Sequence, residues 1–143
     1  MADIELKSNV AEIEKAMEQA KKRALEKVGM FVETGAKKLA PVDTGRLRNS
    51  ITFSTEKDYG SYSYQDNDGN SYTQQMPKAD KNEVIIGTAV EYAPFVELGT
   101  SKANAQPYLR PAIDNNKDTI NKIIKSELGN SWQIRTNVLI YFM

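Results

Sequence analysis

The stretch from Asn9 to Leu39, NVAEIEKAMEQAKKRALEKVGMFVETGAKKL, decides the main helix of the fold. Its apolar residues recur at intervals of three and four, which places them along one face of an α-helix. The stripe consists of Val10, Ile13, Met17, Ala20, Ala24, Val28, Phe31 and Gly35. A helix this long would extend about 45 Å, which exceeds the usual diameter of so small a domain. We therefore expect part of it to pack on another subunit.

Proline ends this helix, and a turn and a strand follow it. Pro41 disfavours the helical conformation in the residue before it, so the helix ends near Leu39. The turn contains residues that bond their local backbone or accept a positive φ, namely Asp43, Thr44 and Gly45. Arg46–Ser50 then predicts a short turn or helical piece. In Ile51–Thr55 apolar and polar residues alternate, which predicts a strand with one buried face.

Residues 56–82 form a polar stretch around the turn signal Asp66–Asn70. The stretch is too polar to form a core of its own and too long for a routine connection. It also holds four tyrosines, Tyr59, Tyr62, Tyr64 and Tyr72. We interpret it as a protruding, flexible β-arm that orders on a partner, with these tyrosines as a subunit interface. The alternative is a stable hairpin within the same subunit.

The second half of the chain predicts one more strand and one more long helix. Glu83–Thr88 is a short, mostly apolar run, which is consistent with a buried strand. Val90–Leu98 either extends this strand or forms a short helix. After a loop, Pro107 and Pro111 frame the start of a last helix, Pro111–Leu128, because proline fits the first turn of a helix.

Together these patterns predict an α+β fold. The long N-terminal helix and the C-terminal helix pack on a small antiparallel sheet built from Ile51–Thr55, the Tyr-rich arm and Val84–Thr88. We expect residues 1–129 to form a single domain. Residues 130–143, which contain the only tryptophan, then form a C-terminal extension. That extension is an added strand, a disordered end or an atypical addition.

Composition excludes several kinds of chemistry. The 143 residues contain neither cysteine nor histidine, so Ser-His-Asp triads, Cys-His pairs and cysteine zinc sites are excluded. The 19 basic and 19 acidic residues give a net charge of zero, whereas a DNA-binding domain usually shows a basic excess. The N-terminus lacks the apolar segment of a signal peptide, and no run is long enough to span a bilayer. We expect no cofactor, no bound metal and no membrane association.

Asp66–Asn70 superficially resembles a calcium-binding loop, but the pattern fails. An EF-hand loop needs glycine at its sixth position and glutamate at its twelfth. Counted from Asp66, these positions hold Ser71 and Pro77. The segment is therefore interpreted as a plain turn.

Three acidic residues, Asp43, Glu91 and Glu97, are candidates for a carboxylate pair of the kind that hydrolyses glycosides. The sequence supplies these residue types without a geometry, and no aromatic cluster surrounds them for sugar stacking. For Glu97 we favour a structural role, either an ion pair with Arg48 or Arg110, or hydrogen bonds to a loop backbone. We therefore expect no catalytic residues.

Two groups of side chains have the chemistry to touch nucleic acid. The tyrosines of the polar stretch could stack on bases, but few basic residues lie among them. Cross-strand packing or a protein interface is the favoured interpretation. The first helix also carries a small basic patch, Lys21, Lys22, Arg23 and Lys27. A solvated helix face is the default interpretation of this patch, and a face lining a DNA passage is the alternative.

Three segments are spaced along the chain in a recognisable order: Ala40–Ile51, then Val84–Thr88 leading to Tyr92–Thr100, then Gln106–Ala112 before a helix. In this order they resemble the small tail-component, or head-tail joining (neck, tail-completion), family of long-tailed bacteriophages and prophages. The resemblance spans about residues 10 to 128. The signature residues of the family correspond here to a structural motif of Pro41, Asp43, Thr44, Gly45, Leu47, Ser50, Tyr92, Ala93, Glu97, Gly99, Thr100, Pro107 and Pro111.

The resemblance implies an oligomeric α+β structural protein of the phage neck or tail. Such a protein joins head and tail, or completes the tail, by ring-like self-assembly, and is not an enzyme. It resides in the virion, and in the bacterial host cytoplasm during assembly. Its expected partners are further copies of itself, other neck and tail proteins and, non-specifically, passing DNA, with no small-molecule substrate. The alternative function is a small nucleic-acid-binding or toxin-like protein of a mobile element, and a third hypothesis is a carboxylate-based wall hydrolase.

Overall fold

The computed structural model describes residues 2–41, 45–57, 60–65, 68–129 and 137–142. Asp43, Thr44 and Tyr59 lie outside this part of the chain, and Tyr62 and Tyr64 are described by their backbone alone. The helices and strands follow in the order α1 (Ala2–Leu39), α2 (Arg46–Ser50), β1 (Thr52–Ser54), β2 (Ser61–Gln65), β3 (Ser71–Gln75), β4 (Glu83–Thr88), α3 (Ala93–Leu98), α4 (Leu109–Asp114), α5 (Lys117–Leu128) and β5 (Asn137–Phe142). The predicted α+β class is confirmed.

Helix α1 has 38 residues and is about 57 Å long at 1.5 Å per residue. It begins seven positions before the predicted start and ends at the predicted residue, Leu39. Its C-terminal half packs on β4, α4 and α5. The residues that face this core are small or β-branched, which lets the neighbouring segments approach closely: Ala24, Val28, Val32 and Ala36.

The main sheet has three strands in the order β1-β4-β5. β1 pairs with β4 in antiparallel orientation, whereas β5 pairs with β4 in parallel. The predicted antiparallel pairing of Ile51–Thr55 with Val84–Thr88 is confirmed, but the sheet does not include the Tyr-rich arm and its third strand is parallel. The described residues of the arm form a separate sheet, β2–β3, and the third strand comes from the C-terminal extension, in line with the added-strand interpretation of that segment. β4 is the central strand and also packs on α1, and its residues Val84 and Ile86, which share one face, are fully buried.

Strands β2 and β3 form a separate antiparallel hairpin within one chain. Their register places Tyr64 opposite Tyr72, and the hydroxyl groups of Ser63 and Thr73 lie 2.9 Å apart across the strands. The polar stretch thus forms regular structure inside the subunit. A protruding arm that orders on a partner stays a prediction.

Glycine at one position of α1 is required by a close approach to the sheet. A Cβ atom added to Gly29 would overlap the ring of Phe53 in β1, far inside the distance that carbon atoms tolerate. Gly35 differs, since a Cβ there would meet only the Cβ of Ala112 at 3.6 Å. Gly29 therefore allows β1 to pack directly on α1.

The C-terminal helical region is divided into two helices instead of the predicted single helix over Pro111–Leu128. α4 ends at Asp114, and α5 begins at Lys117. The break contains Asn116, whose side-chain amide donates to the carbonyl of Ala112 at 3.0 Å. Asparagine competes for backbone groups in this way, which disfavours a continuous helix.

Candidate assembly surfaces

The signature segments meet around α2, the end of β4 and the start of α3. Gly45 precedes α2 with a φ of 78°, in the left-handed region that favours glycine. Leu47 and Ser50 of α2 are both buried. The Ser50 hydroxyl donates to the Leu47 carbonyl and lies 2.6 Å from the Thr88 hydroxyl, which accepts from the Val90 amide at 3.1 Å. This chain of hydrogen bonds fixes α2 to the end of β4.

An ion pair at the surface joins the same two regions. The guanidinium of Arg46 donates to both carboxylate oxygens of Glu91, at 3.1 and 2.9 Å, and lies 5.8 Å from the centre of the Tyr92 ring. A hydrogen bond from its own backbone amide and the charge of Arg46 lower the pKa of the Glu91 carboxyl. Because Glu91 is largely exposed, the pair mainly orients α2 relative to α3.

Glu97 of α3 is 6% exposed, and its buried carboxylate lies against the start of α4. It accepts three backbone hydrogen bonds, from the amides of Tyr108 and Leu109 at 2.7 and 3.0 Å and from Arg110 at 2.9 Å. These are amides that the first turn of a helix leaves without an internal partner, and the helix dipole also favours a negative charge there. Of the two predicted roles, bonding to backbone is confirmed, and the carboxylate accepts from the main chain of Arg110 and pairs with neither guanidinium.

Tyr108 completes this buried joint. Its side chain is fully buried, and its hydroxyl donates to the carbonyl of Ala93 at 3.1 Å, so α4 is tied to the first residue of α3. Burial, then the negative charge of Glu97 and the neighbouring Tyr92, raise the pKa of the Tyr108 hydroxyl far above its ordinary value. The phenol therefore stays protonated and acts as a permanent hydrogen-bond donor.

The loop between α3 and α4 is held in one shape by Gly99 and Thr100. Gly99 has a φ of 79°, and a Cβ there would lie 2.7 Å from the backbone nitrogen of Ala105. The Thr100 hydroxyl accepts from the amides of Lys102 and Ala103, at 3.2 and 3.0 Å. Pro107, near the end of the loop, is exposed, and Pro111 lies half-buried in α4. The described signature residues thus shape the backbone around a single corner of the fold.

The carboxylates considered for catalysis do not form a pair. Glu91 is exposed and bonded to Arg46, whereas Glu97 is buried and bonded to three amides. Asp43 lies outside the described residues. Among the residues that the structure describes, no group of three or more acidic side chains is placed to hold a metal ion.

The first exposed apolar surface lies on the N-terminal half of α1, and we call it the α1 stripe: Val10, Ile13 and Met17. Val10 is 50% exposed and Ile13 is 52% exposed, and Met17 is half-buried. These positions continue the apolar face that is buried from Ala20 onward. The stripe is the part of the helix that the sequence predicts to pack on another subunit.

The second exposed apolar surface lies on α3, and we call it the α3 patch: Phe95 and Leu98. The two side chains are 60% and 73% exposed and lie three residues apart, hence on one face of the helix. The opposite face carries the buried Ala93 and Glu97. The sequence interpretation missed this patch because it left open whether the segment is a strand or a helix.

The basic patch of α1 is paired with acidic side chains in the described structure. Lys21 lies 3.4 Å from Glu18, and Lys22 lies 3.9 Å from Glu26. Arg23 and Lys27 both contact Glu127 of α5, the former at 3.1 Å. Hydrogen bonds from Lys27 and then Arg23 lower the pKa of the Glu127 carboxyl. These pairs match the default interpretation of a solvated face, and a DNA-lining role stays a prediction.

Of the four predicted interface tyrosines, only Tyr72 has a described side chain, which is 44% exposed. It lies on β3, and the backbones of Tyr62 and Tyr64 lie on β2. A role for these tyrosines in a subunit interface stays a prediction. Across the described ranges, no helix is both long enough and apolar enough to cross a membrane.

Comparison with known proteins gives one match. The family model described as "Bacteriophage HK97-gp10, putative tail-component" matches residues 4–99, about two thirds of the chain, from α1 through α3. No curated protein and no solved structure matches the chain. The matched range contains the first signature segment, all of the second except Thr100, and the joint between α2, β4 and α3. The resemblance read from the sequence is confirmed, and the chain belongs to the HK97-gp10-like family of bacteriophage tail components.

Proposed function

We propose that this chain is a structural protein of the phage neck or tail, which joins head and tail or completes the tail by ring-like self-assembly. Family membership supports the virion tail as its place, with other phage proteins as its neighbours. The observation that carries the self-assembly is the α1 stripe. In it, the apolar face of a 38-residue helix continues past the core and is left uncovered by the described residues.

Exposure of the α1 stripe to water is energetically unfavourable. Val10 and Ile13 keep about half of their side-chain surface exposed, on a helix segment with no covering element among the described residues. Apolar surface that is removed from water contributes roughly 25 cal/mol per Å². A helix that extends beyond its own domain with an apolar face therefore favours association, as exposed apolar patches generally do.

The remaining features support a structural role over an enzymatic one. Glu97, Tyr108, Ser50 and Thr88 are all occupied in holding backbone segments together. The nucleic-acid-binding alternative calls for cations that are free to meet phosphates, yet all four cations of the α1 basic patch lie beside carboxylates.

Light scattering on the purified chain, combined with negative-stain microscopy, tests the proposal. We expect a discrete oligomer with a central opening, in equilibrium with the monomer. Gold-labelled antibodies against the chain should mark one end of the tail, or the neck, of virions that carry it. A chain that is monomeric at its highest soluble concentration and is absent from purified virions would overturn the proposal.

A further inference from the structure

We propose that the α1 stripe of one copy packs on the α3 patch of the next copy, so that the ring contact is head-to-tail. This inference rests on the proposed function and specifies which surfaces form the oligomer. The occupant of each surface is a second copy of this chain. Three observations carry it: the position of the two surfaces, their charge, and the symmetry that each type of contact permits.

The two apolar surfaces lie at opposite ends of the subunit. Arg46, which follows α1 by seven residues, binds Glu91 just before α3, so the α3 patch lies near the C-terminal end of α1. Ile13, in the middle of the α1 stripe, lies about 39 Å along the helix axis from Leu39. Neither surface can therefore cover the other within one chain, whereas neighbouring copies can bring them together.

The sequence segments that flank the two surfaces differ in the sign of their charge. Residues 2–19 of α1 contain five acidic and two basic residues, whereas residues 99–110, beside the α3 patch, contain two basic residues and no acidic one. Glu14 follows Ile13 in α1, Lys102 lies in the loop four residues after Leu98, and the backbone amide of Arg110 donates to Glu97 of α3. The side chains of Glu14, Lys102 and Arg110 are exposed and form no ion pair among the described residues. Apolar centres with rims of opposite charge are what a specific interface requires.

Symmetry separates this contact from pairing of the α1 stripe with itself. A contact between identical surfaces closes as a dimer and brings two acidic segments together. A contact between different surfaces of identical subunits repeats from copy to copy, and it gives a ring where the rotation between copies closes. The α1 stripe and the α3 patch are such a pair of different surfaces.

Site-directed cross-linking tests the contact directly, because the natural chain contains no cysteine. The full-length chain with both Ile13→Cys and Leu98→Cys, treated with a short bismaleimide, should give a ladder of dimer, trimer and higher species. Each single variant should give no covalent oligomer. Efficient dimers from Ile13→Cys alone would show that the stripe pairs with itself and would overturn the inference.

Mixing of two damaged variants supplies a second test. Ile13→Glu and Leu98→Glu alter exposed side chains, so each monomer should keep its circular dichroism spectrum and melting temperature. Each variant alone should fail to form rings, with the dissociation constant raised about 30-fold or more, as for a central interface residue. An equimolar mixture should form dimers, because each variant retains the surface that the other has lost. Gln19→Glu and Asn121→Glu, at exposed positions away from both surfaces, are the charge-matched controls and should form normal rings.

The outcomes separate the two proposals. Rings that persist in both damaged variants would overturn the α1-to-α3 contact and leave the proposed function intact. Two damaged variants whose mixture stays monomeric would also overturn the head-to-tail contact. A wild-type chain that never associates would contradict ring assembly, and this inference with it.

Discussion

The two halves of α1 carry the same apolar periodicity and differ in what covers it. In the C-terminal half, Val28 and Val32 are fully buried against the sheet and the C-terminal helices. In the N-terminal half, Val10 and Ile13 are about half exposed. Periodicity thus predicts where the apolar face lies, whereas the rest of the chain decides how far along the helix that face is covered. It follows that the N-terminal half contributes little to the stability of one subunit and is available for contacts between subunits.

The largest loss of stability is expected at Glu97, which holds the start of α4, one of the helices that pack on the C-terminal half of α1. Glu97→Ala removes the acceptor of three backbone amides at the start of α4, which packs on α1 near Gly35. Leaving these groups without partners should reduce the free energy of unfolding by about 3 kcal/mol or more. Urea denaturation measures this change in the free energy of unfolding. The control Glu91→Ala removes an exposed carboxylate and should cost less than about 1 kcal/mol. Equal losses in the two variants would contradict the burial argument.

The same substitution at two valines compares the two halves directly. Val28→Ala removes two methyl groups from a fully buried site and should lower the free energy of unfolding by about 2–3 kcal/mol. Val10→Ala, at a half-exposed site on the same stripe, should change it by less than about 0.5 kcal/mol. Both values come from denaturation of the monomer under conditions that suppress assembly. A large loss at Val10 would mean that the N-terminal half is covered within the subunit.

Two glycines in the C-terminal half of α1 differ in how closely the neighbouring elements approach them. Gly29→Ala places a Cβ against the Phe53 ring and should destabilise the subunit by about 1–3 kcal/mol, because the ring must move. Gly35→Ala meets only ordinary contact and should stabilise the helix by up to about 1 kcal/mol. Thermal melting of both variants distinguishes them by the sign of the shift. A melting temperature that stays the same or rises in Gly29→Ala would refute the close approach of β1 to α1.

The smallest effect concerns the ion pairs where α5 ends against α1. The pKa of Glu127 is lowered below its ordinary value of 4.5 in the folded chain, so its contribution to stability is present above that value. The contribution is lost as the pH falls through the lowered pKa. Glu127→Gln should therefore melt slightly below the wild type at neutral pH, and the gap should close in acid. A gap that widens in acid would contradict the assigned sign.

Sequence reasoning predicts the parts of this fold that local chemistry determines. The end of α1 follows from Pro41 and the left-handed turn from Gly45, and hydrogen bonding to a loop backbone is one of the two roles that the sequence leaves open for Glu97. All three depend on residues that are near in sequence. Their positions are therefore readable without the tertiary structure.

The parts that sequence reasoning misses depend on distant partners. The parallel pairing of β5 with β4 joins segments more than 50 residues apart. The residues of either segment do not indicate whether the two strands pair in parallel or in antiparallel orientation. The α3 patch requires knowing that residues 93–98 are helical, and this helix is held by contacts of Ala93 and Glu97 with the distant Tyr108. The exposure of the α1 stripe likewise depends on where α5 ends, at Leu128.

The β2–β3 hairpin has a consequence for the speed of folding. It lies within the connection of residues 55–82 between β1 and β4, and the Met76 amide donates to the Gly60 carbonyl at 2.7 Å across its base. A hairpin forms in about 1–10 μs, well before most long-range strand pairs. Once it has closed, the chain that must be looped to pair β1 with β4 is about half as long, which lowers the entropic cost of that step by about 0.6 kcal/mol. The hairpin thus brings the two ends of a long connection together before the main sheet forms.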